Sequence, residues 1–227
     1  MKIFTFLFSV KKIPAVYWSA KQPLTLRPKP LTLIFLVFGL LLFGLGESIL
    51  IANGAGVSPW TVLAQGVSIY TNWSIGFSTF ILSACVLLIW IPLKQKPGIG
   101  TILNALIIAL AIDLSLPYLP HPQTYLFQIL QVIAGVMIVG FGSGFYLIAN
   151  LGAGPRDGLM VGLQKISSYP IAQVRTAIEI SAVIVGWLMG GVVGLGTIIF
   201  ALGVGPSVSL GDRKSTRLNF SHVVTSY

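Results

Sequence analysis

Long apolar runs, each close to the length that crosses a bilayer, constrain this chain more than any other feature. They cover residues 31–52, 74–93, 100–118, 125–150, 170–190 and 197–211. A helix needs about 20 mainly apolar residues to cross the hydrocarbon core, and only 8% of this sequence is charged. The runs predict an all-α, polytopic membrane protein with six transmembrane helices, of which the sixth is truncated because its run is short.

Basic residues lie at alternate connections between these runs. Lys94 and Lys96 follow the second run, Arg156 and Lys165 follow the fourth, and the other connections between runs carry no lysine or arginine. Because lysine and arginine mark cytoplasmic loops, we expect both termini on the cytoplasmic side. Residues 1–30 are then a basic cytoplasmic segment, and their short apolar stretch lacks a convincing cleavage site for a signal peptide.

The C-terminal residues have a different character. The stretch "DRKSTRLNFSH" at 212–222 differs only at Phe220, in place of serine, from the translation of a widely used DNA sequencing adapter. We therefore expect residues 212–227 to be an artefactual tail and residues 31–211 to be the six-span membrane domain. A missing natural C-terminus agrees with the short sixth run.

A motif recurs at a constant offset of 96 residues. Gly56 and Pro59 recur as Gly152 and Pro155, and "GIGT" recurs as "GLGT". Such self-similarity predicts two repeats, at about 31–118 and 125–211. Three spans in each repeat make the second enter from the opposite side, which gives an inverted 3+3 repeat of the kind found in secondary transporters. The second recurring element consists of Gly98, Gly100 and Thr101 and their counterparts Gly194, Gly196 and Thr197.

Each repeated proline is expected to start a short helix, since proline suits the first helical position. Ser58 and Gly154 are then the N-caps. Two interpretations remain open: a re-entrant half-helix whose positive end holds an anion or a substrate carboxylate, or a tightly packed glycine turn. Asp157 suits the first helical turn, where it complements the helix dipole. The two GxGT elements favour close packing over a phosphate cradle.

Ionisable residues inside the runs are the candidate functional groups, because a charge at the membrane centre costs at least about 2.5–3.5 kcal/mol. Arg175 and Glu179 share a helix face and predict either an internal ion pair or a transport role. Glu47 and Asp113 either form a proton- or cation-binding pair or reach the outer interface. The candidate binding residues are Glu47, Asp113, Asn150, Arg156, Asp157, Arg175 and Glu179.

The remaining side chains argue against catalysis. The two histidines are isolated, and no nucleophile with a base, zinc helix or P-loop is present, so we expect no enzyme activity, metal, cofactor or nucleic-acid partner. Aromatic residues near the ends of the runs indicate an interfacial belt. They are Trp60, Tyr70, Trp73, Trp90, Tyr118 and Tyr125.

The segments "NLGAGPRDGLMVGL", "VRTAIEI" and "GGVVGLGTIIFALGVGP" resemble the YczE-like family of bacterial integral membrane proteins, which is similar to the YitT-type membrane proteins. The resemblance covers about residues 31–210. It implies a compact helical fold in the bacterial cytoplasmic membrane, and it implies no substrate or mechanism.

Two functions follow as expectations. The first is a small secondary transporter or permease that moves an unknown small solute across the bilayer by rocking one repeat against the other. The alternative is a non-transporting scaffold or regulator that binds partner proteins through its glycine faces. Transport predicts a water-accessible pocket, whereas a scaffold predicts a dry interior and exposed small-residue grooves. The sequence also leaves room for a homo-oligomer.

Overall fold

The computed structural model describes residues 16–204 and 207–208, and this part of the chain is helical with no strand. A 3-10 turn, Leu116–Tyr118, follows the fourth helix. The helices are α1 (Pro30–Asn53), α2 (Pro59–Thr71), α3 (Ile75–Trp90), α4 (Ile99–Ser115), α5 (Tyr125–Ala149), α6 (Pro155–Ser167), α7 (Ile171–Leu188) and α8 (Leu195–Val204).

Four helical segments are long and apolar enough to cross a membrane: α1, α4 with its 3-10 turn, α5 and α7. The pair α2 and α3 passes the same test together, with a bend of 110° between the two helices. The run predicted as the sixth span forms a short apolar helix, α8, in the described part of the chain. The rest of that run and residues 212–227 lie outside the described residues, apart from positions 207–208.

The short helices begin where the sequence predicts, at Pro59 and Pro155, and each is 13 residues long. Each ends at a residue with left-handed backbone geometry, Asn72 or Ser168, both with φ of 57°. The offset of 96 residues relates both ends of α2 to those of α6, and it also relates the first residues of α3 and α7 and those of α4 and α8. The repeat found in the sequence therefore extends to the helix boundaries.

The first helix of each repeat, α1 or α5, crosses the other in antiparallel orientation at glycines. A Cβ atom added to Gly142 would lie 2.6 Å from the carbonyl oxygen of Gly39, and one added to Gly46 would lie 2.9 Å from that of Gly135. The offset of 96 converts Gly39 into Gly135 and Gly46 into Gly142, so one contact becomes the other. The two close contacts are therefore related to each other by the repeat offset.

The loops before α2 and α6 make a second pair of exchanged contacts. The N–H of Gly100 donates to the carbonyl of Leu151, and the N–H of Gly196 donates to that of Ala55, both at 2.8 Å. Gly56 and Gly152 adopt φ of 114° and 115° at these contacts, a conformation in which glycine avoids a Cβ clash. Each loop thus packs on the GxGT element of the other repeat, as the packing interpretation predicts.

The N-terminal segment contributes to the core, which its basic composition does not indicate. Val16 and Trp18 are buried beside Leu36 and Ile148, and the Trp18 ring stacks on Phe35 with centroids 4.6 Å apart. This apolar burial ties the segment to α1 and α5. Residues 1–15 lie outside the described part of the chain.

We predict that Gly142→Ala lowers the free energy of unfolding by about 1–3 kcal/mol, the usual cost of overpacking, although alanine is the better helix former. The measurement is thermal denaturation of the purified protein in detergent. The control is Gly54→Asn, since Gly54 has open space and a φ of 70°, and its counterpart in the second repeat is Asn150. Equal stability of the two variants would contradict close packing of α1 on α5.

Candidate functional site

The N-termini of the short helices α2 and α6 meet inside the molecule. The guanidinium carbon of Arg156 lies 5.4 Å from the centre of the Trp60 ring, within the range of a cation–π contact. Trp60 and Arg156 are each the second residue of their helix and are counterparts at the offset of 96. The contact therefore joins equivalent positions of the two repeats.

A small cleft opens beside this contact. It measures about 230 Å³, including the space that opens to its surroundings. The α3 residues in its wall recur at helical spacing, so they form one face with both hydroxyl and apolar groups. The lining residues are Trp60, Thr79, Leu82, Ser83, Val86, Pro155 and Arg156.

Arg156 is half-buried, and its guanidinium makes no hydrogen bond or ion pair within 4 Å with any residue that the structure describes. Its charge interacts electrostatically with Glu47, Asp157 and Glu179. A guanidinium has five N–H donors, and leaving donors unpaired in a desolvated place is costly. Arg156 is therefore the charged group at this site whose guanidinium has no hydrogen-bond partner among the described residues.

Glu47 is the fully buried carboxylate of the site, with 0% of its surface exposed. The hydroxyls of Ser58 and Thr61 donate to its Oε2 at 2.9 and 2.8 Å. Its Oε1 has no hydrogen-bond partner among the described residues. The carboxylate of α1 is thus held at the N-terminus of α2, with one oxygen free to take a proton.

The second repeat has a different cluster at the corresponding place. The hydroxyl of Tyr146 donates to Oδ2 of Asp157 at 3.0 Å and accepts a hydrogen bond from the N–H of Gly154. Asp157 lies in the first turn of α6, as expected for a side chain that complements the helix dipole. Asn150 ends α5 with a φ of 52° and donates to the carbonyl of Ala20 at 2.9 Å, so its role is structural.

The expected pair of Glu47 and Asp113 is not formed. Oδ2 of Asp113 accepts from the hydroxyl of Ser74 at 2.6 Å, and Oδ1 accepts from the N–H of Gly76 at 2.8 Å. Both donors lie at the start of α3, where N–H groups have no partner within the helix. Asp113 therefore caps α3 and is separate from the site around Glu47.

Arg175 and Glu179 form the predicted ion pair, with Nε and Oε1 2.9 Å apart. The pair is not internal, because 55% of the Arg175 side chain and 29% of the Glu179 side chain are exposed. Arg175 thus lies on the outer face of α7. Glu179 also acts on Arg156 through its charge.

Two of the tryptophans predicted near the ends of the runs contact other parts of the molecule. Trp60 lines the cleft, and the Nε1 of the buried Trp90 donates to the carbonyl of Pro155 at 3.0 Å. Arg156, which was expected both as a cytoplasmic loop charge and as a candidate binding residue, lies against Trp60. The distance of these residues from the ends of the apolar runs did not predict their contacts, because α2 and α6 bring them into the interior of the molecule. The offset of 96 was the signal that joins Trp60 to Arg156.

Comparison with known proteins places the chain among membrane proteins. Residues 31–213 match the family of unknown function DUF6198. An uncharacterized protein of Haemophilus influenzae is 42% identical over 88% of this chain and 90% of its own length. The uncharacterized membrane protein YczE of Bacillus subtilis is 33% identical over 80% of this chain and 83% of its own. No solved structure matches the chain significantly. The expected resemblance is confirmed, and the chain belongs to the DUF6198 family as a YczE-like membrane protein.

Proposed function

We propose that the chain is a six-span inverted 3+3 repeat in the bacterial cytoplasmic membrane, with its N-terminus in the cytoplasm. The antiparallel crossing of α1 and α5 supports the opposite polarity of the repeats. The orientation is supported by Lys94, Lys96 and Lys165, which are exposed at the ends of α3 and α6. Arg156 no longer counts as a loop charge, so the orientation rests on these lysines and on the basic N-terminal segment.

Within this architecture the protein functions as a small secondary transporter, and the unpartnered Arg156 in the cleft beside Trp60 is the observation that carries the proposal. Transporters with inverted repeats bind their substrates near the midplane, where broken helices meet. Each short helix packs on the opposite repeat: α2 contacts α7 through Gly66 and Gly186, and α6 contacts α3 through Gly158 and Trp90. Rocking the repeats about the α1–α5 crossing therefore changes access to the cleft.

Glu47 is the coupling group of the proposed mechanism. It is fully buried, its Oε1 has no partner among the described residues, and its charge interacts with that of Arg156. A proton on Glu47 removes the attraction between the two charges and leaves Arg156 available to a ligand. Proton binding and ligand binding are then linked through one electrostatic contact, which is the requirement for coupled transport.

The alternative function, a scaffold that binds partners through glycine faces, has less support. Gly39, Gly46, Gly135 and Gly142 are in contact between α1 and α5, so these small residues are already used inside the molecule. An interaction face of this type needs small residues that are exposed to a second chain. The described part of the chain therefore favours transport over a glycine-mediated scaffold.

The first test is the water accessibility of the cleft. We expect Ser83→Cys, in a Cys85→Ser background, to react with a membrane-impermeant maleimide in both right-side-out and inside-out vesicles. The control is the unmodified Cys85, an exposed residue two positions along α3, which faces lipid in this arrangement and stays unlabelled. Labelling of Ser83→Cys from one side only, or from neither, would contradict alternating access.

The second test addresses coupling. We expect Glu47→Gln to abolish complementation when the metabolites of a bacterial deletion strain are compared with those of its complemented parent. Glutamine keeps an oxygen that accepts hydrogen bonds from Ser58 and Thr61, so folding is retained. Its amide cannot take up and release a proton as the carboxylate does. Asp113→Asn is the matched control, because it neutralises a carboxylate that caps α3, and it should complement. Full complementation by Glu47→Gln would rule out Glu47 as the coupling group.

A further inference from the structure

We propose that the cleft beside Arg156 binds a small monocarboxylate, which enters together with one proton. This inference deepens the proposed transport function and rests on it for its physiological meaning. The binding itself is a separate physical property of the site. Four observations support this ligand class: the unused donors, the surrounding charges, the residues that line the cleft and the buried acceptor of Glu47.

The hydrogen-bond donors that have no partner at this site favour an anion as the ligand. The guanidinium of Arg156 makes no hydrogen bond with the described residues, and the buried Nε1 of Trp60 is likewise without a partner among them. Both side chains line the same cleft. The first turn of α6, a helix of 13 residues, adds free backbone N–H groups and the positive end of its dipole. A carboxylate pairs with a guanidinium through two parallel hydrogen bonds.

The surrounding charges limit the anion to a single negative charge. Glu47, Asp157 and Glu179 all act on Arg156 electrostatically, so a divalent anion such as sulfate meets more repulsion than a monovalent one. The charges also explain the proton. Glu47 is fully buried with an unpartnered Oε1, and a proton placed there keeps the net charge of the site constant when the anion arrives.

The wall of the cleft limits the rest of the ligand. Leu82, Val86 and the Trp60 ring supply apolar surface, and Thr79 and Ser83 supply hydroxyls. A carboxylate with a short aliphatic chain of a few carbons suits this combination.

The experiment measures the thermal stability of the full-length protein in detergent with increasing sodium propionate, since a ligand that binds the folded state raises the melting temperature. We expect a saturable rise with propionate, no saturable rise with the neutral isostere propionamide, and weaker binding of sulfate. Lysine keeps the positive charge but not the two parallel hydrogen bonds of a guanidinium, and the loss of one charge-assisted hydrogen bond costs about 1.5–3 kcal/mol, which corresponds to about 10–150-fold weaker binding in Arg156→Lys. Arg156→Gln should show no saturable response.

Arg27→Gln is the control, because Arg27 is an exposed arginine of the N-terminal segment that does not line the cleft, and it should bind propionate like the parent. Only variants that elute as one species in size-exclusion chromatography are compared, and Arg156→Lys keeps the test valid where Arg156→Gln does not fold. Equal responses to propionate and propionamide, tighter binding of sulfate, or undiminished binding in Arg156→Lys would overturn the proposal.

The experiments distinguish an error in the proposed ligand class from an error in the proposed transport function. If Ser83→Cys is labelled from both sides of the membrane but propionate does not stabilise the protein, the monocarboxylate is wrong and transport stands. If propionate binds in an Arg156-dependent way but Ser83→Cys is labelled from neither side, the ligand class stands and transport is wrong.

Discussion

The antiparallel crossing of α1 and α5 is the most extensive contact between two helices in the described part of the chain. Gly39 and Gly142 at one point, and Gly46 and Gly135 at the other, let two helix backbones approach to a distance that a single added Cβ would prevent. Lipid is as apolar as a leucine side chain, so helix association in a membrane relies on such close packing rather than on the hydrophobic effect. In the proposed inverted repeat, this contact sets the direction of the two repeats relative to each other, because exchanging the repeats exchanges the two glycine pairs.

The chemistry of the site comes from the positions where the two repeats have diverged. Trp60 and Arg156 are counterparts, yet one offers an aromatic face and the other a cation, so they contact each other as unlike groups. Glu47 has Ser143 as its counterpart, and the Ser143 hydroxyl donates to the carbonyl of Val139 within α5. A symmetric frame therefore holds an asymmetric pair of charges, with a buried carboxylate from one repeat and a half-buried guanidinium from the other.

Local rules and periodicity predicted much of the fold. The starts of α2 and α6 follow from proline at the first helical position, and the repeat offset of 96 follows from recurring glycines that the structure uses in loop contacts. The site was harder to predict from the sequence, because it depends on which side chains contact each other in the folded protein. Glu47 and Asp113 have the same chemistry in the sequence, but α2 covers the first and the start of α3 takes the second as a cap.

Opposite polarity of the two repeats in the membrane can be measured from the sidedness of two equivalent positions. Thr71 and Ser167 are the last residues of α2 and α6 and are both exposed. In a Cys85→Ser background, we expect an impermeant maleimide to label Thr71→Cys on intact cells and to label Ser167→Cys only after the membrane is permeabilised. Labelling of both cysteines from the same side of the membrane would contradict it.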